Sequence, residues 1–546
     1  MTIGQKIAIL RTAMQISQEQ LAERLEVSRQ SVSKWESDQS VPEVGKILQL
    51  SSLFNVTTDD LLRDDIPLAP TYTETLFRPK ESVVFNGRYF GTDGFRGEAN
   101  EKLTAIHAFK IGRFLGWYYS KKHSDNRKAR VVIGKDTRRS SYMLEYAIVA
   151  GITSSGADAY MLHVTTTPSV SYVVRQDMFD CGVMISASHN PFFDNGIKLI
   201  NSAGEKMDDN TLALIEDYID GDLSKLGVEG DDLPLATREK VGCVIDYVAG
   251  RNRYVGFLIS VAANSYRNMK VVLDCANGSS WMIAKAVFSA LGAQVYVINA
   301  EPDGVNINEQ AGSTHIGALR KYVRENKMDV GFAFDGDADR CIAVDEKGNI
   351  INGDHVLYVL ARRLRDKGLL PGNKVVTTIM SNMGLYKALD EVGIGYVQTT
   401  VGDRYVHDAM IENDYYLGGE QSGHTIIRKY ATTGDGILTA IMLLEEMMDR
   451  KAVLSELADP VTMYPQSIRN VQVIDKSAVA NNEQVKAVVD EIKKELGNDG
   501  RILLRESGTE PVVRIMVESG SQKVCENYTA RVEELINSLG LSRKDK

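Results

Sequence analysis

Hydrophobic and polar positions divide the chain into two parts with different periodicities. Residues 1–65 carry apolar side chains at helical spacing only, which predicts an all-α unit. Within it, Ser17 followed three positions later by Gln20 is a capping box that opens a second helix, and Ser28 can cap a third. The periodicity is lost over residues 66–88, where several prolines occur, and this stretch is predicted to be a linker.

After the linker, short apolar runs alternate with amphipathic helical stretches. Examples of these runs are residues 131–133, 271–273 and 331–334. Such alternation predicts βαβ units whose sheets are buried on both faces. The pattern begins again near Arg253 and near Val375, which indicates consecutive units of similar size.

The predicted fold class is therefore α/β, with an N-terminal all-α module, three similar α/β domains and a smaller C-terminal α+β domain. Several domains are also expected because one hydrophobic core rarely extends over a chain of 546 residues. The predicted boundaries are 1–65 for the helical module, 66–88 for the linker, 89–242, 243–342 and 343–455 for the three α/β domains, and 456–546 for the C-terminal domain.

Composition narrows the class of protein further. Hydrophobic residues make up 43% of the chain and charged residues 25%, as in ordinary globular proteins. The five cysteines are scattered without a C-x-x-C pair, which favours reduced thiols. No secretion signal and no long apolar run occur, so a cytoplasmic protein is expected. The net charge of -10 argues against a surface that coats nucleic acid, and an anionic substrate would need local positive clusters.

Three carboxylates occur at alternate positions, Asp335, Asp337 and Asp339, between two apolar runs. Carboxylates that converge from one loop repel each other unless a hard divalent cation neutralises them, and oxygen-only ligation suits Mg²⁺. A helix-loop-helix calcium loop is an alternative, with Glu346 at its twelfth position. However, Arg340 stands at the sixth position, where that loop requires glycine, and the flanking segments look like strands. An exposed acidic turn is the other alternative.

Ser188 follows an apolar strand, in a segment that ends at Pro191. A hydroxyl at the carboxyl end of a strand in an α/β sheet is well placed to be a nucleophile. By itself the pattern also fits a serine that only stabilises a turn. No G-x-S-x-G elbow surrounds it, so a hydrolase triad is not supported.

A C-terminal turn, residues 505–511, combines a guanidinium, two hydroxyls and a glycine, and Arg514 follows on the next strand. This set of donors suits a dianionic phosphate, because arginine can bind it through two parallel hydrogen bonds. A plain polar hairpin is the alternative. Neither a Walker A sequence nor a G-x-G-x-x-G run is present, so nucleotide binding has no positive support.

Taken together, these segments resemble the α-D-phosphohexomutase family over about residues 89–520. Four loops match in the order of the family: Ser-Ala-Ser-His-Asn-Pro at 186–191, Asp-Gly-Asp-Ala-Asp-Arg at 335–340, Gly-Glu-Gln-Ser-Gly-His at 419–424, and Arg-Glu-Ser-Gly-Thr-Glu-Pro at 505–511. Residues 90–97, 132–138 and 401–404 resemble the phosphoglucosamine mutase branch in particular, as does Gln421, where the phosphomannomutase and phosphoglucomutase branch usually has Met.

The resemblance implies four domains around a central cleft and an enzyme that interconverts glucosamine 6-phosphate and glucosamine 1-phosphate. Ser188 would carry a phosphoryl group, with glucosamine 1,6-bisphosphate, or a related hexose bisphosphate, as intermediate and primer. Mg²⁺ would be bound by a phosphoserine oxygen at Ser188 and by Asp335, Asp337 and Asp339. The product would feed UDP-N-acetylglucosamine synthesis.

The resemblance also implies roles for individual residues. Proton transfer would fall to Arg96 and Lys198, with Lys198 the better candidate, while His189 and Arg340 would support the phosphoserine and the metal. The sugar-binding residues would be Glu420, Ser422, His424, Gly402, Asp403 and Arg404. The phosphate-binding residues would be Arg505, Ser507, Gly508, Thr509 and Arg514.

Residues 1–65 lie outside that family and resemble the Cro/repressor type of helix-turn-helix, which makes DNA an expected partner. The DNA-facing residues would be Gln18, Arg29, Gln30, Ser31, Ser33 and Lys34. Residues 1–65 contain seven cationic and ten acidic side chains, which disfavours binding to the phosphates of DNA. The alternative to a DNA-binding module is a small helical unit for protein docking or dimerisation. A homodimer of the mutase body could place two modules on one DNA site.

Two other functions stay open at this point. One is phosphomannomutase or phosphoglucomutase specificity. The other is a transcription regulator that uses the mutase body as a sensor of sugar phosphates. The intact Ser188, Lys198 and three aspartates favour catalysis, since a sensor could dispense with the nucleophile.

Overall fold

The computed structural model describes residues 2–13, 17–25, 27–54, 56, 58–63, 87–123, 127–506 and 511–543 of the chain. The chain divides into two units, Met1–Phe85 and Asn86–Lys546. Most of the predicted linker lies outside the described residues, and so do Ser507, Gly508 and Thr509 of the predicted phosphate loop. Among the described residues, no helix is both long and apolar enough to cross a membrane.

The N-terminal unit consists of short helices around a small apolar core. Its helices are α1 (Ile3–Ala13), α2 (Gln18–Arg24), α3 (Arg29–Glu36), α4 (Val44–Phe54) and α5 (Thr58–Leu62). Ile7, Leu21 and Val32 are fully buried at its centre. The predicted capping box is present, since the Gln20 N–H donates to Ser17 Oγ and the Ser17 N–H donates to the Gln20 side chain. The all-α prediction is confirmed for the described part of this unit.

Two large sheets form the first half of the second unit. The first domain contains β1 (Phe90–Gly91), β2 (Gly94–Glu98), β3 (Arg130–Lys135), β4 (Asp158–Val164), β5 (Cys181–Ile185), β6 (Asp194–Asn201) and β7 (Val244–Asp246), in the order β1-β2-β6-β5-β3-β4-β7, with helices α6 (Ala105–Lys122), α7 (Arg139–Ser154), α8 (Thr167–Gln176) and α9 (Asp209–Ile219). The second contains β8 (Lys270–Asp274), β9 (Gln294–Ile298), β10 (Val330–Phe334), β11 (Cys341–Asp345) and β12 (Ile350–Ile351), in the order β12-β11-β10-β8-β9, with α10 (Val248–Val261), α11 (Ser280–Ala290) and α12 (Gly317–Glu325).

Two smaller sheets complete this unit. The third domain contains β13 (Lys374–Thr378), β14 (Gly395–Thr399), β15 (Leu417–Gly419) and β16 (Thr425–Ile427), in the order β14-β13-β15-β16, with α13 (Gly353–Asp366), α14 (Met383–Glu391), α15 (Asp403–Glu412), α16 (Gly436–Arg450) and α17 (Leu454–Ala458). The C-terminal domain contains antiparallel β17 (Gln466–Gln472), β18 (Gly500–Glu506) and β19 (Val512–Ser519), in the order β17-β19-β18, with α18 (Lys476–Ala480), α19 (Glu483–Leu496) and α20 (Gln522–Ser538). Three α/β domains and a C-terminal α+β domain are therefore confirmed.

Buried central strands determine where two of the predicted loops emerge. β5 and β10 are buried along their whole length, as continuous apolar runs predict for strands covered on both faces. Each is followed by an antiparallel neighbour, β6 after β5 and β11 after β10. The connecting turn therefore leaves the sheet at the carboxyl end of a buried strand, where α/β proteins bind their ligands.

Three of the predicted domain boundaries separate an element, or part of one, from the domain that it packs in. The boundary at 242/243 precedes β7, which pairs with β4 in the first sheet. The boundary at 342/343 cuts β11, and the boundary at 455/456 cuts α17. β7 and α17 have only three and five residues, too few to show a hydrophobic period. β11 belongs to the second domain because it pairs with β10, a contact that the boundary placed after Ile342 did not allow for.

Backbone contact between α6 and α7 of the first domain gives a test of the packing. A Cβ placed on Gly112 of α6 would lie 2.2 Å from the carbonyl oxygen of Ile148 in α7. Gly112→Ala should therefore push the helices apart and lower the free energy of unfolding by about 1–3 kcal/mol.

The matched control is Gly256→Ala in α10, where, apart from the two chain neighbours and the backbone of the same helix, no described atom lies within 4 Å of the added Cβ. This change should be neutral or stabilise the protein by about 0.5–1 kcal/mol, because it restricts the unfolded chain. Equal shifts of the two variants in thermal or urea unfolding would contradict the packing described here.

Candidate active site

Ser188 lies in the turn between β5 and β6, and its side chain is buried. Its φ of 52° is in the left-handed region, which residues other than glycine occupy only sparsely. The Ser188 N–H donates to Ser186 Oγ at 2.9 Å, and Ser188 Oγ donates to Asp335 Oδ2 at 2.5 Å. The hydroxyl of the first domain therefore points at the carboxylate loop of the second.

That carboxylate loop lies between β10 and β11. One oxygen from each of Asp335, Asp337 and Asp339 lies within 4.8 Å of the other two, and all three side chains are buried. Strands flank the loop on both sides, which excludes the helix-loop-helix calcium alternative. Glu346 is engaged elsewhere, since Ser455 Oγ donates a hydrogen bond to its carboxylate at 2.5 Å.

The three carboxylates fit a hard divalent cation. Asp337 Oδ1 and Asp339 Oδ1 are buried and accept no hydrogen bond from the described residues, which is costly for a charged oxygen. Burial and the charges of Asp339 and Asp337 raise the pKa of Asp335 well above its usual value. Closely spaced carboxylate oxygens that accept no hydrogen bond are what a metal such as Mg²⁺ binds.

Lys198, on β6, contacts the same cluster from the first domain. Its Nζ donates to Asp337 Oδ2 at 2.7 Å and to Asp339 Oδ2 at 3.2 Å, and lies 3.5 Å from Asp93 Oδ1. Burial disfavours the charged amine, but the three carboxylates outweigh burial and hold the pKa of Lys198 well above its usual value. Lys198 is therefore an ammonium in this arrangement.

Arg96, on β2, shares its ion-pair partner, Asp93, with Lys198. The Arg96 Nη2 group is paired with Asp93, and Nη1 donates to Asn190 Oδ1 at 3.4 Å. Burial opposes ionisation of Asp93, but Lys198 and Arg96 hold its pKa far below the usual value. Sequence reasoning missed Asp93 as a site residue, although it stands three positions before Arg96 in the same matched segment.

His189 connects the nucleophile to Arg340. Its Nδ1 lies 3.3 Å from Ser188 Oγ and 3.2 Å from Arg340 Nη1. Burial and the charges of Arg340 and Arg96 lower the pKa of His189 to about 4. Because a guanidinium can only donate, the neutral ring accepts at Nδ1 and carries its proton on Nε2.

The predicted sugar loop is the turn between β15 and β16. Its backbone closes through the Glu420 N–H, which donates to His424 O at 2.9 Å, and His424 forms a backbone bridge with Arg340 of the carboxylate loop. Glu420 Oε1 accepts from the Gly402 N–H at 3.1 Å. Ser422 is exposed. The structure thus brings this loop against the metal-binding candidate.

Asp403 and Arg404, at the start of α15, form ion pairs with the first domain. Asp403 Oδ1 lies 2.7 Å from Lys206 Nζ, and Arg404 Nη2 lies 2.9 Å from Asp209 Oδ2. Both side chains therefore form ion pairs between the first and third domains. Gly402, of the same predicted segment, instead contacts the sugar loop.

Arg505 and Arg514 face each other as a cross-strand pair on β18 and β19. Both line a cavity of about 300 Å³. Like charges directly opposite each other destabilise a sheet, and an anion between them would remove that cost. Burial, with repulsion from Arg514, lowers the pKa of Arg505, whereas Glu420 opposes the shift. The pair is therefore suited to a phosphate near the sugar loop.

Four family models match most of the second unit, in order. They describe phosphoglucomutase/phosphomannomutase alpha/beta/alpha domain I at residues 87–225, domain II at 249–348, domain III at 352–464, and the C-terminal domain at 469–535. The chain belongs to the phosphoglucomutase/phosphomannomutase family. A helix-turn-helix model matches residues 7–61, within the helical unit.

Curated relatives within the family are named phosphoglucosamine mutase. The protein of Lachnospira eligens is 62% identical over 454 residues, which is 83% of this chain and 99% of that protein. The protein of Bacillus subtilis is 48% identical over 452 residues, again 83% of this chain and 99% of that protein. These relatives are matched almost completely, whereas part of this chain lies outside the match.

Solved structures share the fold of the family at low sequence identity. A phosphoglucomutase/phosphomannomutase family protein from Burkholderia thailandensis has a TM-score of 0.66 at 22% identity, covering 82% of this chain and 97% of that one. The N-acetylphosphoglucosamine mutase of Aspergillus fumigatus, in complex with GlcNAc-6P and magnesium, has a TM-score of 0.59 at 17% identity, covering 83% of this chain and 96% of that one.

A second residue that sequence reasoning missed is Thr167, at the start of α8. Its N–H donates to Asp337 O at 3.0 Å and its Oγ1 donates to Asp337 Oδ2 at 2.5 Å. The side chain thus fixes one carboxylate of the cluster from the first domain. No motif marks it, because the contact joins residues far apart in sequence.

Divalent cation binding gives a direct test of the carboxylate cluster. We expect one equivalent of Mn²⁺ to bind in equilibrium dialysis, and Asp337→Asn to weaken binding by at least about ten-fold, because the change removes the charge of one of the three carboxylate ligands. Asp329→Asn, at the other end of β10, is the control, since Asp329 accepts from the Lys270 N–H instead. Equal Mn²⁺ affinity of both variants would show that the cluster is not the metal site.

Proposed function

We propose that the chain is a phosphoglucosamine mutase, which moves a phosphoryl group between the 6- and 1-positions of glucosamine through Ser188. The observation that carries the proposal is the Ser188 Oγ directed at Asp335 within a buried carboxylate cluster. The names of the curated relatives support glucosamine as the sugar.

In the first half-reaction, the phosphoserine transfers its phosphoryl group to the free hydroxyl of the bound hexosamine phosphate. The P–O bond to Ser188 Oγ breaks as a P–O bond to the sugar oxygen forms, which leaves a 1,6-bisphosphate. After this intermediate turns around, its other phosphate returns to Ser188 and the isomeric monophosphate is released. Phosphoryl transfer needs mainly positioning and charge stabilisation from the protein.

Asp335, Asp337 and Asp339, with a phosphoserine oxygen at position 188, would hold Mg²⁺. The bound ion supplies charge neutralisation for the transferring phosphoryl group. The GlcNAc-6P and magnesium complex of the Aspergillus fumigatus relative supports this choice of metal.

The hydroxyl proton of the sugar has to leave as the new bond forms. Arg96 and Lys198 are the candidates, and Lys198 is the better one because the pKa of an amine responds to its surroundings. Its ammonium shares Asp337 and Asp339 with the metal site, so it has less compensating negative charge when that site is filled. Filling the site therefore favours the neutral, basic form of Lys198.

The remaining loops bind the parts of the substrate that do not react. Glu420, Ser422 and His424 would bind the hydroxyls of the sugar ring. Arg505 and Arg514, together with Ser507, Gly508 and Thr509, would bind the other phosphate. Specificity for glucose or mannose phosphates is the nearest alternative, and a coupled assay with all three sugar phosphates decides between them.

The sensor alternative and the enzyme differ at Ser188. Ser188→Ala should abolish both phosphoenzyme and turnover while the protein stays folded, because the change removes the acceptor oxygen and little volume. Intact-mass measurement should show a phosphate adduct on the parent protein and none on the variant.

Ser186→Ala is the matched control in the same turn. It removes the acceptor for the Ser188 N–H but leaves the nucleophile, so it should retain the phosphate adduct. Full turnover of Ser188→Ala would rule out the proposed nucleophile.

A second candidate function belongs to the N-terminal unit. We propose that α3 binds DNA in a sequence-dependent manner. The side chains that support this are exposed along the helix: Arg29, Gln30, Ser33 and Lys34. Side chains of this kind can address base edges in the major groove.

Three cations of this unit take part in internal contacts, and four are exposed: Arg24, Arg29, Lys34 and Arg63. Lys6 and Lys46 each donate to a backbone carbonyl, and Arg11 pairs with Glu36. Gln18 and Ser31 are less available to DNA, because the Gln18 amide donates to the Glu36 carboxylate and Ser31 lies beside Ser28.

One module offers few base contacts, so useful affinity needs two modules about one helical turn of DNA apart, supplied by a dimer of the mutase body. Selection from random duplexes should yield a paired, roughly palindromic site. Arg29→Ala and Gln30→Ala should weaken binding to it.

A shortened chain beginning near residue 83 should lose DNA binding and keep mutase activity. If no duplex is enriched even at low salt, the unit is a protein-docking module instead.

A further inference from the structure

The backbone carbonyl of the nucleophile is held by two side chains with no part in the proposed chemistry. Arg138 Nη2 and Asn308 Nδ2 each donate to Ser188 O at 2.9 Å. Each also donates to Asn190 O, at 2.9 Å and 3.0 Å respectively. Arg138 belongs to the first domain and Asn308 to the second. Both domains therefore donate hydrogen bonds to the same two carbonyl oxygens of the nucleophile loop.

Every N–H group of the Arg138 guanidinium donates a hydrogen bond. A guanidinium has five N–H groups. Besides the two bonds from Nη2, Nε donates to Asp136 Oδ2 at 2.8 Å, and Nη1 donates to Pro191 O and to Asp194 O. The side chain is fully buried, so its charge depends on these acceptors. Four backbone carbonyls of the loop that carries Ser188 thus accept hydrogen bonds from the buried Arg138 guanidinium.

The hydrogen bonds to Ser188 O act on a residue with an unfavourable backbone conformation. Ser188 occupies the left-handed region at φ 52°, which is costly for a residue with a Cβ and persists only where the surroundings enforce it. The backbone of the carboxylate loop also packs on this carbonyl, since a Cβ on Gly336 would lie 2.5 Å from Ser188 O. The two donors therefore act on the peptide group that follows Ser188, at the point where the carboxylate loop packs on it.

We propose that Arg138 and Asn308 are positioning residues for phosphoryl transfer, which hold Ser188 in the left-handed conformation with its Oγ on the carboxylate loop. The inference rests on the proposed role of Ser188 as the nucleophile. Both side chains act through the backbone of the nucleophile and not on the sugar phosphate. Their loss should therefore slow the transfer step and leave substrate binding unchanged.

Asn308 offers the sharper test, because loss of the buried Arg138 cation also threatens folding. Asn308→Ala removes both N–H groups of the Asn308 amide. It should lower kcat by about ten-fold, with KM changed by less than about three-fold. Asn308→Asp keeps the size but places carboxylate oxygens against two carbonyl oxygens, so it should be slower than the alanine variant. A purely space-filling role predicts the opposite order.

The matched control is Asn306→Ala in the same loop. The Asn306 side chain donates to Glu301 O and accepts from the Asp303 N–H, and it has no contact with Ser188 among the described residues. This variant should turn over at the parent rate. Single-turnover phosphorylation of Ser188, followed by quenched intact-mass measurement well below the melting temperature, should fall in the Asn308 variants by the same factor as kcat.

Arg138→Lys supplies a second variant that keeps the charge near Asp136. Lysine has three donors and no planar fork, so it cannot serve all the carbonyls, and kcat should fall again with KM unchanged. Parent-like kcat in Asn308→Asp, equal losses in the Asn306 and Asn308 alanine variants, or a change confined to KM would each overturn the proposal. Absence of phosphate on Ser188 in the parent protein would instead overturn the proposed function itself.

Discussion

Buried negative charge at the junction of the first two α/β domains is the constraint on which the site depends. Three carboxylates lie close together on one loop, away from solvent, and such a group is stable only when opposite charges and donors surround it. Lys198 and Thr167 come from the first domain to meet this need, and Arg340 comes from the loop itself. The electrostatic requirement therefore joins two domains at the point where the nucleophile lies.

The sheets explain why these groups can meet. The nucleophile loop and the carboxylate loop each follow a fully buried strand and turn back into an antiparallel neighbour. Because each turn leaves its sheet at a fixed point, Ser188 and Asp335 approach within hydrogen-bonding distance although they are far apart in sequence. The third loop joins them through the backbone bridge between Arg340 and His424. Rigid strands thus supply the positioning that phosphoryl transfer requires.

Local pattern and residue chemistry predicted much of this arrangement. Continuous apolar runs predict buried strands, and alternate aspartates predict a cation loop, because both depend on neighbours in sequence. Contacts between distant segments could not be predicted in this way. Thr167 and Asn308 match no chemical motif on their own, and their roles arise only when two domains meet. Asp93 pairs within the first domain, with a Lys198 that lies far from it in sequence. The pairing of Arg404 with Asp209 is of the same kind, and the predicted sugar-binding role gave no sign of it.

The most direct test of the account follows the phosphoryl group itself. Unlabelled phosphoenzyme is mixed with hexosamine 6-phosphate that carries a labelled phosphate, and both protein and sugar are analysed during the first turnovers. The account predicts that the enzyme's unlabelled phosphate appears on the sugar first and that label then appears on Ser188, located by peptide mass analysis. Turnover in which label stays on the sugar and never reaches the protein would contradict it.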